Sequence, residues 1–157
     1  MKTRKQKQRL VGSEAPAVKL KMLNGEEKII GMMAEKVQVM ITLPSSHNLS
    51  NELQEIIQKY QGKASIYIVG PEPLTYLFDK ANASTDWENF TFKYGVYLDE
   101  NSCAKAVFIV NKDGEILFRD VLDDPKDDFD VSILDKALDE AIKFKKKGHT
   151  HEEWMSV

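Results

Sequence analysis

From Val37 to Ser50 the chain reads VQVMITLPSSHNLS, and from Asn51 to Tyr60 it continues as NELQEIIQKY. The segment Val37–Leu43 is mostly apolar and rich in β-branched residues, which predicts a central strand of a sheet. Pro44 cannot continue such a strand and begins a polar loop. Apolar residues then recur at helical spacing and predict an amphipathic helix that stops at Gly62. A strand therefore leads through a proline loop into a helix N-terminus.

The segments around this junction alternate between strand and helix patterns. They predict strands at 18–22, 27–30, 37–43 and 64–69, helices at 52–60 and 74–81, a loop at 84–93, strands at 106–110 and 115–121, and a helix at 131–147. Asn24-Gly25 and Asp113-Gly114 supply the tight turns of two hairpins. The order β-β-β-α-β-α-β-β-α predicts an α/β thioredoxin-like fold, with helices packed on a mixed central sheet.

Composition and charge indicate one soluble domain. A chain of 157 residues, 42% hydrophobic and 30% charged, can bury a core without a second domain. We expect a flexible basic arm at 1–10, a domain at 11–147 and a tail at 148–157. Five of the 22 basic residues lie in the first nine positions, whereas all 25 acidic residues follow them. The chain after these nine positions therefore has an excess of acidic residues, which argues against nucleic-acid binding.

Two further features concern the cellular location. No apolar run approaches the roughly 20 residues that a membrane-spanning helix needs. Cys103 is the single cysteine, so an internal disulfide is excluded, which fits a reducing compartment. The sequence therefore predicts a cytoplasmic protein without a membrane span.

Four motifs resemble the peroxiredoxin family, and within it the bacterial thiol peroxidase subgroup. They are VGSEAP at 11–16, Pro44-Ser45 with Gln54 downstream, KYGV at 93–96 and AKAVFIVNKDG at 104–114. The resemblance covers roughly residues 11–145 and implies a peroxiredoxin-type three-layer sandwich. It also implies thioredoxin-dependent reduction of hydroperoxides as the family activity, without a cofactor or a metal, and a dimeric assembly.

The functional positions of that family are changed in this chain. The family pattern at the loop-to-helix junction is Pro-x-x-x-Thr-x-x-Cys, followed by a strand arginine that lowers the pKa of the reactive thiol. Pro44 is kept, but Asn48 stands at the threonine position, Asn51 at the cysteine position and Lys105 at the arginine position. The resolving cysteine expected near Phe78-Asp79 is absent as well. A carboxamide cannot attack an O–O bond, so the resemblance implies lost peroxidase activity.

Two functional interpretations stay open. In the first, the protein binds a small anionic or polar ligand through Asn48, Asn51 and Lys105 at the helix N-terminus, or pairs with itself or with a related peroxiredoxin. In the second, Cys103 is a displaced redox thiol, with Lys105 lowering its pKa and thioredoxin as its partner. An exposed Cys103 with a lowered pKa favours the enzyme, and a buried one favours the binding protein.

Other polar residues are given structural roles. Ser50 and Asn51 are both good N-cap residues, and Asn51 with Gln54 predicts a capping box. His47 and Ser50 could form a hydrolase pair, but no Gly-x-Ser-x-Gly turn accompanies them. The run from Asp123 to Asp130 lacks the spacing of a calcium loop and is predicted to be exposed. The sequence HTHEE at 149–153 is predicted to be a solvated tail rather than a metal site.

Overall fold

The computed structural model of the protein describes residues 8–73 and 79–143. Its strands are β1 (Val18–Lys21), β2 (Glu27–Ile30), β3 (Gln38–Thr42), β4 (Ser65–Val69), β5 (Ala83–Ser84), β6 (Tyr97–Asp99), β7 (Ser102–Cys103), β8 (Lys105–Val110) and β9 (Ile116–Leu122). Its helices are α1 (Asn51–Tyr60), α2 (Trp87–Lys93) and α3 (Val131–Lys143), with short 3-10 turns at Ser46–Asn48 and Lys80–Asn82.

Five strands form a mixed sheet in the order β5-β4-β3-β8-β9. The strand β3 is parallel to β4 and antiparallel to β8, and β8 is antiparallel to β9. All five residues of β3 are buried, because both faces of this central strand are covered. The sheet and its helices confirm the predicted thioredoxin-like α/β fold.

Alternation along β3 divides the core into two layers. Val39 and Ile41 belong to the cluster formed with α1 and α3, whereas Met40 belongs to the cluster formed with α2 and the β1–β2 hairpin. Successive side chains of a strand point to opposite faces, so one strand serves both layers. The result is a three-layer arrangement in which α1 and α3 share one face of the sheet.

Three of the resemblance motifs contact one another. The amide of Ala15 donates to the carbonyl of Gly114 at 2.8 Å, and the amide of Met32 donates to the carbonyl of Ala15 at 3.0 Å. The hydroxyl of Tyr94, which is fully buried, donates to the carbonyl of Pro16 at 2.7 Å. These motifs therefore hold the N-terminal segment against the β8–β9 hairpin and α2, and their role here is structural.

The turn after β2 is held just as tightly. The amide of Gly31 donates to the side-chain oxygen of Gln38 at 2.8 Å, and the Gln38 amide group donates to the carbonyl of Met32 at 3.0 Å. Gln38 is buried, so these hydrogen bonds satisfy a polar side chain that would otherwise be costly in the core. Gly31 has a φ of +90°, a backbone conformation that favours glycine.

The structure corrects the prediction for residues 84–93. A loop was expected there, but α2 occupies most of the segment, because Phe90 and Tyr94 lie one helical turn apart and both are fully buried. Their rings stack with centroids 4.4 Å apart, and this packing outweighs the weak helix propensity of the segment. The strands β5, β6 and β7 were not predicted.

Several predictions fall on parts of the chain outside the described residues. They are most of the basic arm at 1–10, most of the helix at 74–81, the end of the helix at 131–147, and the tail at 148–157 with its HTHEE sequence. Among the described residues, no helix has the length and apolar character needed to cross a membrane.

Candidate functional site

The end of β3 is fixed to the start of β8 by a buried threonine. Thr42 is fully buried, and its hydroxyl donates to the carbonyl of Ala104 at 2.8 Å. The following loop starts at Leu43, whose amide donates to the carbonyl of Val69 at 3.0 Å. These contacts place the loop that carries Pro44 at one end of the central strands, beside the start of β8.

The loop then forms a 3-10 turn at Ser46–Asn48, whose N-terminal end is capped by two reciprocal hydrogen bonds between Ser45 and the turn. The hydroxyl of Ser45 accepts from the amide of His47, and the amide of Ser45 donates to the side-chain oxygen of Asn48 at 2.9 Å. Glu72 lies over this turn and accepts from the amide of Ser46 at 2.8 Å, a contact that lowers the pKa of the Glu72 carboxyl group. The side chain of Asn48 is therefore built into the backbone of the loop.

Helix α1 begins next, and Ser50 is its N-cap. The Ser50 hydroxyl accepts from the amide of Leu53 at 3.1 Å, while Asn51 is already the first helical residue and is exposed. The predicted capping role of Ser50 is confirmed, but the predicted box of Asn51 with Gln54 is wrong. Ser50 has extended backbone angles, and its hydroxyl accepts a hydrogen bond from an amide of the first helical turn. The cap therefore lies one residue before Asn51. The Ser50 hydroxyl is engaged with Leu53, and it is Ser45, not Ser50, whose hydroxyl lies 3.2 Å from the His47 ring.

Replacing Ser50 by alanine is expected to destabilise the protein by about 1 kcal/mol, because an amide of the first helical turn loses its acceptor. Asn51→Ala is the matched control and is expected to leave the free energy of unfolding nearly unchanged, since alanine is a good helix former. Urea denaturation of the two variants measures both values. Equal losses in the two variants would contradict the assignment of Ser50 as the cap.

Lys105 is the first residue of β8, and its side chain is buried with 1% of its surface exposed. Its ammonium group donates to the carbonyl of Asp127 at 2.9 Å and to the carboxylate of Asp128 at 3.0 Å. It also lies 5.3 Å from the centre of the Phe129 ring. The charge of Lys105 is therefore met by a segment between β9 and α3, which we call the acidic loop (Asp123–Asp130).

The same acidic loop also binds Asn48. The Asn48 amide group donates to the carbonyl of Pro125 at 2.8 Å, only two residues before the carbonyl that accepts from Lys105. The acidic loop is exposed apart from Phe129, as predicted, but its contacts with Asn48 and Lys105 were not foreseen. Two of the predicted ligand-binding residues, Asn48 and Lys105, therefore contact the same loop. Asn51 lies three residues after Asn48 in the chain, at the exposed start of α1.

Cys103 lies in β7, just before Lys105. It is fully buried, and this burial raises the pKa of its thiol to about 12. The direction is opposite to the one that an activated thiol requires, since the thiolate is the reactive form. The ammonium of Lys105 is turned to the acidic loop instead.

Two other aromatic side chains and two cavities of the described residues lie apart from the acidic loop. Phe90 is a core residue, and Trp87 is partly buried and stacks on Tyr97 with ring centroids 5.8 Å apart. Two surface cavities of about 250 and 240 Å³ are lined by residues other than Asn48, Asn51, Cys103 and Lys105. Within residues 8–73 and 79–143, no group of three or more histidine, cysteine or acidic side chains is placed to hold a metal ion.

Comparison with known proteins gives a match in structure only. No protein-family model and no curated protein sequence matches the chain. Among solved structures, a peroxiredoxin-like protein from Aquifex aeolicus matches with a TM-score of 0.68 and 20% identity over 86% of this chain and 89% of that chain. The thiol peroxidase from Chromobacterium violaceum gives 0.68 and 15% identity, with coverages of 87% and 90%.

A third neighbour, AhpC from Enterococcus faecalis, matches with a TM-score of 0.64 and 18% identity, over 92% of this chain and 95% of that chain. Each of these proteins is matched along nearly its whole length, so the similarity concerns the complete fold and not one motif. At these identities it is a similarity of architecture. The chain has the thioredoxin-like fold that the peroxiredoxins share.

Proposed function

We propose that this protein keeps a thiol-peroxidase-like scaffold without peroxidase chemistry and acts by binding a ligand or a partner. The observation that supports this most strongly is that the chain has no accessible thiol at either candidate position. Asn51 stands where the family resemblance places the reactive cysteine. Cys103, the single cysteine of the chain, is fully buried and its thiol pKa is raised. Peroxide reduction by a thiol needs an accessible thiolate, and neither position supplies one.

The proposed binding region is the junction of the β3–α1 loop, the N-terminus of α1 and the start of β8. Asn48, Asn51 and Lys105 are its ligand-binding residues. Lys105 contributes a positive charge and Asn48 an amide donor, a combination that suits an anionic or polar ligand. Both donors are bound to the acidic loop, so binding there involves this loop.

The proposal also covers the protein partner, the cellular location and the bounds of the domain. A second copy of the chain or a related peroxiredoxin is the proposed protein partner, as the resemblance to that family implies. The free Cys103 suits a reducing compartment, and we propose the cytoplasm. Residues 11–147 are proposed as the folded domain, with 1–10 as an arm and 148–157 as a tail.

Peroxide consumption tests the loss of chemistry. Wild-type protein and Cys103→Ser are each supplied with hydrogen peroxide, thioredoxin and thioredoxin reductase, and NADPH oxidation is followed beside an active thiol peroxidase. We expect no turnover from either protein, because no accessible thiolate is present. Circular dichroism of both samples establishes that the assayed protein is folded.

Turnover by the wild type that disappears in Cys103→Ser would contradict the proposal and make Cys103 the nucleophile. Turnover retained in Cys103→Ser would contradict it as well, since the activity would then come from a group other than a thiol. Only inactivity of both folded proteins supports the proposed function.

A further inference from the structure

The ion pair between Lys105 and Asp128 is unequal in its exposure. The Lys105 side chain is 1% exposed, whereas the Asp128 side chain is 58% exposed. A buried ammonium needs an anionic or polar partner at all times, since removing its partner leaves an uncompensated charge. A half-exposed carboxylate loses little when it returns to water. The lysine therefore depends on this contact more than the aspartate does.

The contacts of the acidic loop with the binding region lie in its middle. Phe129 is buried beside Lys105, and Asp130 anchors the far end by accepting from Ser132 and Ile133 at the start of α3. Between these anchors and β9, the carbonyls of Pro125 and Asp127 and the carboxylate of Asp128 bind Asn48 and Lys105. Residues 123–128 are otherwise exposed, so displacing them would uncover little buried apolar surface, whereas displacing Phe129 would uncover an aromatic ring.

We propose that Asp128 is an internal competitor for a small oxyanion, a carboxylate or a phosphate, that binds Lys105 when the middle of the acidic loop is displaced. The external oxyanion replaces the Asp128 carboxylate, so the buried ammonium keeps an anionic partner throughout the exchange. The displacement also frees the Asn48 amide from Pro125 and makes a second donor available. This inference rests on the proposed function, because it takes Asn48 and Lys105 as binding residues.

The test is a titration with inorganic phosphate followed by ¹H–¹⁵N NMR at constant ionic strength and pH. Asp128→Asn removes the competing charge, and we expect it to bind phosphate about tenfold more tightly than the wild type, a usual size for coupled binding interactions. The amides of Ser46, Asn48 and Lys105 are expected to shift. Asp123→Asn is the matched control, since it removes one charge from the same loop without a contact to Lys105, and we expect wild-type affinity.

Equal gains in Asp128→Asn and Asp123→Asn would overturn the proposal, because net charge alone would then explain the binding. So would phosphate binding that survives Lys105→Met in the Asp128→Asn background. A parallel titration with acetate distinguishes the source of the oxyanion. Stronger binding of acetate indicates a carboxylate of a metabolite or protein, and stronger binding of phosphate indicates a phosphate group.

A measurement on the wild type keeps the proposal testable if Asp128→Asn does not fold. Saturating phosphate is expected to shift the amide signals of Asp127 and Asp128 while the signal of Ser132, at the start of α3, stays in place. Unchanged signals of Asp127 and Asp128 would overturn the displacement.

Failure of this inference is distinguishable from failure of the proposed function. Absent phosphate binding together with absent peroxide turnover contradicts the inference alone. Turnover that is lost on Cys103→Ser contradicts the proposed function, whether or not phosphate binds.

Discussion

Cys103 is expected to react with an aromatic disulfide reagent at least about a hundred times more slowly in the folded protein than in the unfolded chain. A thiol pKa of about 12 instead of 9.0 lowers the thiolate fraction at neutral pH about a thousandfold. The greater nucleophilicity of a more basic thiolate offsets part of this loss. Complete burial adds a steric barrier, because the reagent must reach the sulfur.

The measurement is the rate of thiolate release from the reagent at pH 8, with and without guanidinium chloride. Cys103 is the single cysteine, so the unfolded chain is an internal reference with one reactive group. Fast labelling of the folded protein would show an accessible thiol and would revive the interpretation of Cys103 as a displaced redox centre.

Gly31→Ala is expected to destabilise the protein by about 3 kcal/mol or more, and to prevent folding if the total stability is low. An added Cβ atom would lie 2.1 Å from the carbonyl oxygen of Pro16 and 2.8 Å from the hydroxyl of Tyr94. The first of these is a backbone oxygen that also accepts from the hydroxyl of Tyr94, so it cannot move aside without disturbing that hydrogen bond. The left-handed φ of Gly31 adds strain of about 1 kcal/mol for alanine.

Gly25→Ala is the matched control. Gly25 has nearly the same φ, +94°, but an added Cβ atom would have no neighbour within 4 Å. Its expected cost is therefore the strain alone, about 1 kcal/mol. The difference in urea midpoint between the two variants measures the steric contribution. Equal destabilisation of both variants would show that Pro16 and Tyr94 are free to move away from Gly31.

Local patterns were sufficient for most of the fold. Asp113-Gly114 predicted the β8–β9 hairpin, and Gly114 has the positive φ that such turns require. The helical spacing of Leu53, Ile57 and Tyr60 predicted α1, and all three residues are buried against the sheet. The segment 84–93 carries no such local signal, because its helix depends on the burial of aromatic rings in the core, which is a tertiary effect.

The candidate site was less accessible to sequence reasoning. Asn48 and Pro125 are 77 residues apart, and Lys105 and Asp128 are 23 apart, so no local pattern contains either contact. Opposite charges on Lys105 and the acidic loop were a signal, but the chain has many acidic residues. Ser50 and Asn51 have similar intrinsic preferences for the capping position, and only the backbone conformation chooses between them.

The position of β3 in the sheet has a consequence for how the chain reaches its native state. The strand pairs on one side with β4, which follows after a single helix, and on the other side with β8, where Gln38 meets Val110. The β3–α1–β4 unit and the β8–β9 hairpin can each form from nearby residues, but the sheet is complete only when these two units meet. Pairing Gln38 with Val110 closes a long segment of the chain, which makes folding slow compared with a helical bundle of similar length. Until then the apolar edge of β3 is unpaired, which makes the partly folded chain prone to aggregation.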